Sequence, residues 1–241
     1  MSPPLLSVRD LSAGYGDEPI TYDINLDVQS GTITTIVGSN GAGKSTLLKA
    51  IYGLNRKFSG TIDFNGRNIE TLASVARFRL GLAFVPQGRC NFPLMSVREN
   101  LRLGGYSLRA MEREDAIERV TEIFPILRQR MSVLAGNLSG GEQQLLEMAM
   151  VLMISPKLLL LDEPSIGLSP INLSLVLENI QRIRAQGVTI IMVEQNVRGA
   201  LAISTDAIVM DLGRIVVTGS PQDILQDERI AAAYLGKRAA R

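Results

Sequence analysis

The sequence ITTIVGSNGAGKST, residues 33–46, decides the fold of this chain. Residues 33–37 are apolar or β-branched and predict a buried strand, and residues 38–45 then fit the pattern G-x-x-x-x-G-K-[ST]. Residues 46–52 have the composition of a helix. Strand, loop and helix in this order predict a phosphate-binding loop. A plain glycine-rich turn before a helix is the alternative, but it leaves the full match unexplained.

Each part of such a loop has a physical role. The glycines let backbone N–H groups turn toward the β- and γ-phosphates, and the helix N-terminus adds positive potential. Lys44 adds a point charge, and Ser45 offers its hydroxyl to Mg²⁺. The predicted nucleotide contacts in this loop are Gly38, Ser39, Asn40, Gly41, Ala42, Gly43, Lys44, Ser45 and Thr46.

A second motif, LLLLDE at residues 158–163, predicts a buried strand that ends in two carboxylates. Four consecutive leucines are typical of a parallel strand covered on both faces. Asp162 at the strand end is suited to hold a Mg²⁺-bound water, and Glu163 is placed to act as general base on the attacking water. The alternative is that both carboxylates merely cap the next helix.

Strand-like and helical stretches alternate along the chain, which predicts an α/β fold with a mainly parallel sheet. Turn signals between the early strands indicate an additional antiparallel portion. The β signal disappears between residues 87 and 136, where charges alternate with apolar residues at helical spacing, so we expect a helical insertion there. Residues 221–241 predict one or two short helices. The predicted strands are 6–11, 24–28, 33–37, 82–85, 158–162, 189–193, 207–210 and 215–217.

Composition excludes several classes of protein. The 241 residues are 46% hydrophobic, enough for a sizeable core, and 25 basic against 24 acidic residues give no reason to expect nucleic acid as a partner. The densest apolar stretch, 145–154, contains Glu147 and is shorter than the about 20 residues that span a bilayer. The N-terminus does not resemble a signal peptide. A single cysteine, Cys90, and no histidine disfavour an internal disulfide and a zinc site.

The stretch LSGGE, residues 138–142, matches a capping box in which Ser139 and Glu142 bond reciprocally at a helix start. A capping box alone does not explain the two glycines, since each costs about 1 kcal/mol relative to alanine inside a helix. Glycine leaves the first-turn N–H groups open to a phosphate arriving from outside the chain. The residues predicted to reach a partner's nucleotide are Leu138, Ser139, Gly140, Gly141 and Glu142.

With these three motifs in this order, the chain resembles the ATP-binding-cassette (ABC) family over almost its whole length. The resemblance implies a RecA-like ATP-binding core with an antiparallel β portion at 1–86 and 157–241, and a helical subdomain at 87–156. It also implies ATP and Mg²⁺ as cofactors. Two such chains lie head to tail in this family, and each ATP is enclosed by the phosphate loop of one and the LSGGE of the other.

The resemblance assigns further roles by position. Tyr15 matches the aromatic residue that stacks on adenine, and Gln87 matches the glutamine that touches Mg²⁺ and senses the membrane partner. Gln195 stands where the family usually has a histidine on the γ-phosphate, and an amide cannot shuttle a proton. We therefore hypothesise that Gln195 is a neutral sensor and that Glu163 carries the chemistry. Ordinary loop or helix-start roles are the alternatives, and Ser169 replaces an aspartate usual in the family.

Several stretches resemble the ATP-binding subunits of importers for branched-chain amino acids, or for urea and short amides. This branch implies a second ATPase subunit, identical or different, two transmembrane permeases and indirectly a solute-binding protein, with the chain peripheral at the cytoplasmic face of the inner membrane. Residues 91–95 are expected to dock a permease unless they pack inside the helical insertion. No motif contacts a solute, so its identity rests on the resemblance. The stretches are 85–89, 138–144, 162–170, 193–196 and 232–236; residues 87–89 read Gln-Gly-Arg where Glu-Gly-Arg is usual.

Two other functions fit the sequence less well. Soluble cassette ATPases that act on DNA or ribosomes usually carry coiled-coil insertions, two cassettes or basic extensions, and this balanced sequence has none of them. A P-loop kinase or GTPase conflicts with LSGGE. The sequence therefore predicts an ATPase coupled to solute transport.

Overall fold

Two β-sheets and nine α-helices make up the computed structural model, which describes residues 3–227 and 230. The strands are β1 (Leu6–Tyr15), β2 (Glu18–Val28), β3 (Ile33–Gly38), β4 (Arg56–Phe64), β5 (Arg67–Asn68), β6 (Leu82–Val85), β7 (Leu158–Asp162), β8 (Thr189–Val193), β9 (Asp206–Asp211) and β10 (Arg214–Gly219).

The helices flank these strands, and a short 3₁₀ turn, Ala135–Asn137, precedes the sixth of them. They are α1 (Lys44–Tyr52), α2 (Ser74–Arg79), α3 (Val97–Gly104), α4 (Ala110–Ile123), α5 (Pro125–Gln129), α6 (Gly140–Leu152), α7 (Pro170–Ala185), α8 (Val197–Ile203) and α9 (Pro221–Gln226).

The larger sheet has the strand order β10-β9-β3-β8-β7-β6. All neighbours in it pair in parallel except β9 and β10. Parallel strands end at the same edge, so the loops that follow β3, β6, β7 and β8 all leave from one side of the sheet. Ligands of open α/β sheets bind outside this edge.

The sheet is buried on both faces, as the leucine run predicted. The four leucines of β7, Leu158 to Leu161, are fully buried and alternate between two apolar cores. One core contains α6 and α7, and the other contains α1 and the smaller sheet. This double cover holds the carboxyl end of β7 rigidly.

The smaller sheet is the antiparallel portion that the turn signals indicated, with the order β2-β1-β4-β5. Strand β1 is longer than predicted, because it continues to Tyr15 through irregular pairing with β2 and β4. Strand β4 was not predicted at all. Its sequence RKFSGTIDF contains few apolar residues and a glycine, so period-two alternation is weak, and pairing with β1 stabilises it instead.

The segment between β6 and β7 contains helices and only an isolated bridge, Ser96 with Leu134, as expected for a helical insertion. Ile117, Val120 and Phe124 are buried as their spacing indicated. The domain bounds 86/87 and 156/157 stay a prediction. Within residues 3–227, no helix has the length and apolar content needed to span a bilayer. Most of the predicted terminal helices, and residues 232–236 of the branch resemblance, lie outside the described residues.

Candidate active site

The phosphate loop connects β3 to α1 at the carboxyl edge of the sheet. Gly38 has a φ of 153°, and a side chain there would collide with the Met210 carbonyl of β9. Gly43 caps α1 in the left-handed conformation, with a φ of 91°. Glycine is required at both positions for conformational reasons. The N-terminal N–H groups of α1 therefore open toward the concave side of the loop.

The side chain of Lys44 lies inside this loop. Its Nζ donates to the carbonyl oxygens of Gly38 and Ser39, each at 2.9 Å. Burial lowers the pKa of Lys44, and the nearby carboxylates of Glu163 and Asp162 partly oppose that shift. The ammonium group is thus placed where phosphate oxygens could replace the two carbonyls.

Ser45 and Asp162 meet at the first turn of α1. The Ser45 hydroxyl donates to Asp162 Oδ1 at 2.6 Å, and Asp162 Oδ2 is buried without a hydrogen-bond partner. Burial raises the pKa of Asp162, and the Ser45 hydrogen bond opposes that rise. A hydroxyl beside an orphaned carboxylate oxygen is the kind of oxygen-donor set that Mg²⁺ prefers, so this pair fits the ion.

Glu163 has a left-handed backbone, with a φ of 52°, and its N–H donates to Val193 of β8 at 3.0 Å. Both predicted glutamines converge on its Oε2. Gln87 Nε2 donates at 3.0 Å and Gln195 Nε2 at 2.8 Å. The carboxylate is buried and held by two neutral donors. A strained backbone in a non-glycine residue at such a place is typical of a functional site.

The cleft around these groups has a volume of about 380 Å³. It brings together the phosphate loop, Glu163 and the two glutamines, and it adds Ile20 of β2, which the sequence did not indicate. Tyr15 is not one of the described residues that line it. It ends β1 and is 47% exposed, so its contact with adenine stays a prediction. The lining residues are Ile20, Asn40, Gly41, Ala42, Gly43, Lys44, Ser45, Thr46, Gln87, Glu163 and Gln195.

The LSGGE stretch starts α6 and contributes no residue to the lining of that cleft among the described residues. The predicted capping box is confirmed: Ser139 Oγ accepts from the Glu142 N–H at 3.3 Å, and Glu142 Oε2 accepts from the Ser139 N–H at 2.8 Å. Ser139 is exposed.

Besides leaving first-turn N–H groups open, a glycine at position 141 is required by the packing of α6. Gly141 is buried, and a Cβ built on it would lie 2.9 Å from Asn172 Cγ on α7. Gly140 is less confined, since its nearest neighbour would be Leu168 Cδ2 at 3.3 Å. Gly141 thus permits the close approach of α6 and α7.

Glu194, which the sequence motifs did not single out, connects two loops of the site. Its carboxylate accepts from the Ser165 N–H at 3.0 Å, from the Ser165 hydroxyl at 2.6 Å and from the Gln195 N–H at 3.2 Å. Burial raises the pKa of Glu194. The loop after Glu163 is therefore tied to the residue that precedes Gln195. The signal in the sequence was an acidic residue directly after a buried strand.

The phosphate loop and the acidic strand beside it define an NTPase of the P-loop class. Residues 21–166, more than half of the chain, match the family model described as ABC transporter. The chain belongs to the ABC transporter family and is an ATP-hydrolysing member of it.

Known proteins of this family are similar along almost the whole chain. The high-affinity branched-chain amino acid transport ATP-binding protein BraG of Pseudomonas aeruginosa is 40% identical over 232 residues, which cover 96% of this chain and 100% of BraG. The lipopolysaccharide export system ATP-binding protein LptB of Escherichia coli K12 is 34% identical over 235 residues, covering 96% and 97%. A crystal structure of a nucleotide-free ATP-binding cassette from an ABC transporter superposes with a TM-score of 0.86 at 25% identity, covering 97% and 100%.

Proposed function

We propose that this protein hydrolyses ATP to drive the uptake of branched-chain amino acids or a related small polar solute, as one subunit of a membrane transporter. The observation that carries the catalytic part is the convergence of Gln87 and Gln195 on one oxygen of Glu163, next to the phosphate loop. The amino-acid part rests on similarity, since BraG at 40% identity is nearer than LptB at 34%. Urea and short amides remain the alternative solutes.

Glu163 is the proposed general base. Its Oε2 is occupied by the two amides, and no described residue donates to Oε1, which leaves that oxygen for the attacking water. The water oxygen bonds to the γ-phosphorus while the bond to the β,γ-bridging oxygen breaks and ADP leaves. The water proton goes to the Glu163 carboxylate. Lys44 exchanges its two backbone carbonyls for phosphate oxygens.

Ser45 and Asp162 are proposed to hold Mg²⁺, with Gln87 beside them. The amide nitrogen of Gln87 is used on Glu163, so its carbonyl oxygen would be the atom available as a ligand to a bound ion. When bound, Mg²⁺ neutralises charge that develops on the β- and γ-phosphate oxygens.

Gln195 is proposed as a neutral sensor that communicates with the base. Its amide bonds to Glu163 Oε2, so a γ-phosphate that attracts this donor would also release one contact of the carboxylate. The backbone of Gln195 is held by Glu194, which also holds Ser165. Occupancy of the cleft can in this way be passed to the loop after Glu163.

A second ATPase subunit is proposed to complete the site. Ser139 is exposed at a helix start and lies outside the cleft of its own chain, which supports a role on a partner's phosphates. A permease is proposed to dock on residues 91–95. Phe92 is 48% and Leu94 88% exposed, whereas Met95 is partly buried. Exposed apolar clusters of this kind mark interfaces.

Reconstitution tests this function. The tagged chain is purified from its native membranes, its polytopic partners are identified, and the complex is placed in proteoliposomes with its solute-binding protein. We expect ATP-dependent uptake of labelled leucine that is lost with Glu163→Gln. Uptake of urea but not of leucine would favour the alternative solutes. ATP-dependent export of a lipid, or a complex without membrane subunits, would overturn the proposal.

A further inference from the structure

A buried carboxylate on α6 has no part in the site described so far. Glu147 is only 4% exposed, and its Oε1 accepts three hydrogen bonds from one short segment. The donors are the Cys90 N–H at 2.8 Å, the Asn91 N–H at 3.3 Å and the Asn91 side-chain Nδ2 at 2.9 Å. Its Oε2 is buried without a partner. Burying a carboxylate is unfavourable unless it is hydrogen-bonded, so the three bonds to Oε1 offset part of the cost of placing Glu147 here.

The segment held by Glu147 is the one that comes directly after Gln87. Cys90 lies three positions after Gln87, whose amide donates to Glu163. Ser139 caps the N-terminus of the same α6, eight residues or about two helical turns before Glu147. Helix α6 thus has Ser139 exposed at its N-terminus and, further along, Glu147 bonded to the segment that follows Gln87.

The far part of this segment has a separate anchor. Asn100 of α3 is fully buried, and its Oδ1 accepts from the Phe92 N–H at 2.8 Å. Its Nδ2 donates to the carbonyls of Phe92, Met95 and Ser96. Asn100 therefore holds residues 92–96, together with backbone bonds from Ala135 and Gly136, whereas Glu147 holds residues 90–91. The two sets of hydrogen bonds share no partner, so a change at Glu147 removes none of the bonds to residues 92–96.

We propose that Glu147 is a positioning residue for ATP hydrolysis, which fastens the segment after Gln87 to α6 and thereby fixes the Gln87 amide relative to the Ser139 helix start. The proposal rests on the proposed function, because it assigns Gln87 and Ser139 to one catalytic cycle. The acceptor oxygen, and not the negative charge, is the feature that matters, since all three partners are neutral N–H donors.

Amide hydrogen exchange of the full chain tests the anchor directly. In the wild type, the Cys90 and Asn91 amides are expected to be protected. Glu147→Met, which keeps the length but removes the acceptor, should speed exchange at both positions at least about tenfold. Glu147→Gln keeps an acceptor oxygen and should preserve protection. The Phe92 amide is the internal control, because Asn100 holds it in every variant.

ATP hydrolysis tests the consequence. Glu147→Met should lower kcat about tenfold through misplacement of Gln87, with the Kd for ATP within about twofold of the wild type, because Lys44 and the loop are untouched. Glu147→Gln should restore kcat. Asn179→Leu is the matched control: Asn179 is 2% exposed, has an unpaired buried Oδ1 and, within the described part of the chain, donates to Leu175 of its own helix alone. It should leave kcat unchanged.

The proposal would be overturned if the Cys90 and Asn91 amides of Glu147→Met exchanged as slowly as in the wild type. It would also be overturned if Glu147→Gln showed the same fast exchange and low kcat as Glu147→Met. If Glu147→Met does not fold, Glu147→Asp replaces it in the exchange experiment. Aspartate keeps the charge but is shorter by one methylene, so its oxygen should no longer reach the Cys90 and Asn91 amides. Wild-type protection of these amides in Glu147→Asp would likewise overturn the proposal. If the wild-type protein bound ATP without hydrolysing it, the proposed function would be wrong. The exchange measurement would still decide whether Glu147 anchors residues 90–91.

Discussion

We propose that the carboxyl edge of the parallel sheet and the first turn of α6 carry different halves of the chemistry, and the two regions satisfy their polar groups differently. At the sheet edge, Lys44 bonds to its own loop, Ser45 to Asp162, and both glutamines to Glu163. At the start of α6, Ser139 is exposed, and among the described residues its side chain bonds only within the local capping box.

The difference teaches where each function resides. A nucleotide that enters the cleft must exchange existing hydrogen bonds for its own, so we expect the affinity for ATP to be set within one chain. The start of α6 needs less exchange: its capping box engages the N–H groups of Ser139 and Glu142, but the Ser139 hydroxyl can still donate, and no described residue accepts from the N–H groups of Gly140 and Gly141. On the proposed function, turnover depends on a surface that the same chain does not present to its own cleft.

The largest expected effect is a loss of ATP turnover, caused by a substitution in the cleft that should leave ATP binding nearly unchanged. Glu163→Gln should lower ATP turnover by about 10²- to 10⁴-fold, because the base is lost, whereas ATP affinity should change little. The amide oxygen can still accept from Gln87 and Gln195. Steady-state hydrolysis and ATP titration of the same preparation check this. Gln195→Ala is the companion variant and should cost less; full turnover in Glu163→Gln together with none in Gln195→Ala would reverse the assignment.

A smaller effect, on the stability of the protein, tests the packing of α6 against α7. Gly141→Ala should lower the free energy of unfolding by about 1–3 kcal/mol, since its Cβ would press on Asn172. Urea unfolding measures the loss. Adding Asn172→Ala should recover most of it, and Gly140→Ala, which faces only the end of Leu168, should lose less. A Gly141→Ala protein as stable as the wild type would show that the glycine serves only the phosphate.

The pH dependence of stability tests the environment of Glu147 on the same helix. Burial raises the pKa of Glu147, against the hydrogen bonds from Cys90 and Asn91 and the charge of Arg89. Its contribution to stability is therefore complete below the unfolded pKa of about 4.3 and is lost as pH rises through the raised folded pKa. Stability curves of Glu147→Gln and the wild type should diverge in favour of the variant over that window. Parallel curves would contradict the raised pKa.

The smallest expected effect lies in the turn that supports the phosphate loop from β9 and β10. Leu212 and Gly213 join β9 to β10 with φ angles of 44° and 79°, and the Gly213 N–H donates to Ala42 of the phosphate loop. A leucine is strained in this conformation, which asparagine adopts readily. Leu212→Asn should therefore stabilise the protein by about 1 kcal/mol without changing turnover. Thermal unfolding with a parallel ATPase assay checks this; a destabilised variant would mean that the Leu212 side chain has a packing role.

Much of the fold was predictable from local pattern, because the glycine-rich loop and the leucine run each specify a buried strand and the loop at its carboxyl end. Strand β4 was not, since a polar strand is defined by its pairing with β1. Asp162 and Glu163 were predicted from the leucine strand that leads to them, whereas Gln87 and Gln195 were assigned to the site through the family resemblance. The shared oxygen of Glu163 did not, because sequence spacing carries no side-chain direction.

The two buried carboxylates that organise loops were missed for a related reason. Glu147 interrupts an apolar stretch and Glu194 follows a buried strand, so each was visible as an anomaly. Their partners, Cys90 and Ser165, are 57 and 29 residues away. Nothing local to either glutamate identifies such a partner, and the tertiary structure supplies it.

The central claim is that Ser139 acts on a nucleotide held by another subunit. Ser139→Asp tests it, because aspartate retains the helix cap while its charge repels phosphate. ATP turnover per chain is measured for variant and wild type as protein concentration is raised, with and without the second ATPase subunit. We predict that wild-type turnover rises with assembly, whereas Ser139→Asp stays low and binds ATP with unchanged affinity. Turnover that is independent of assembly and equal in the two proteins would contradict the account.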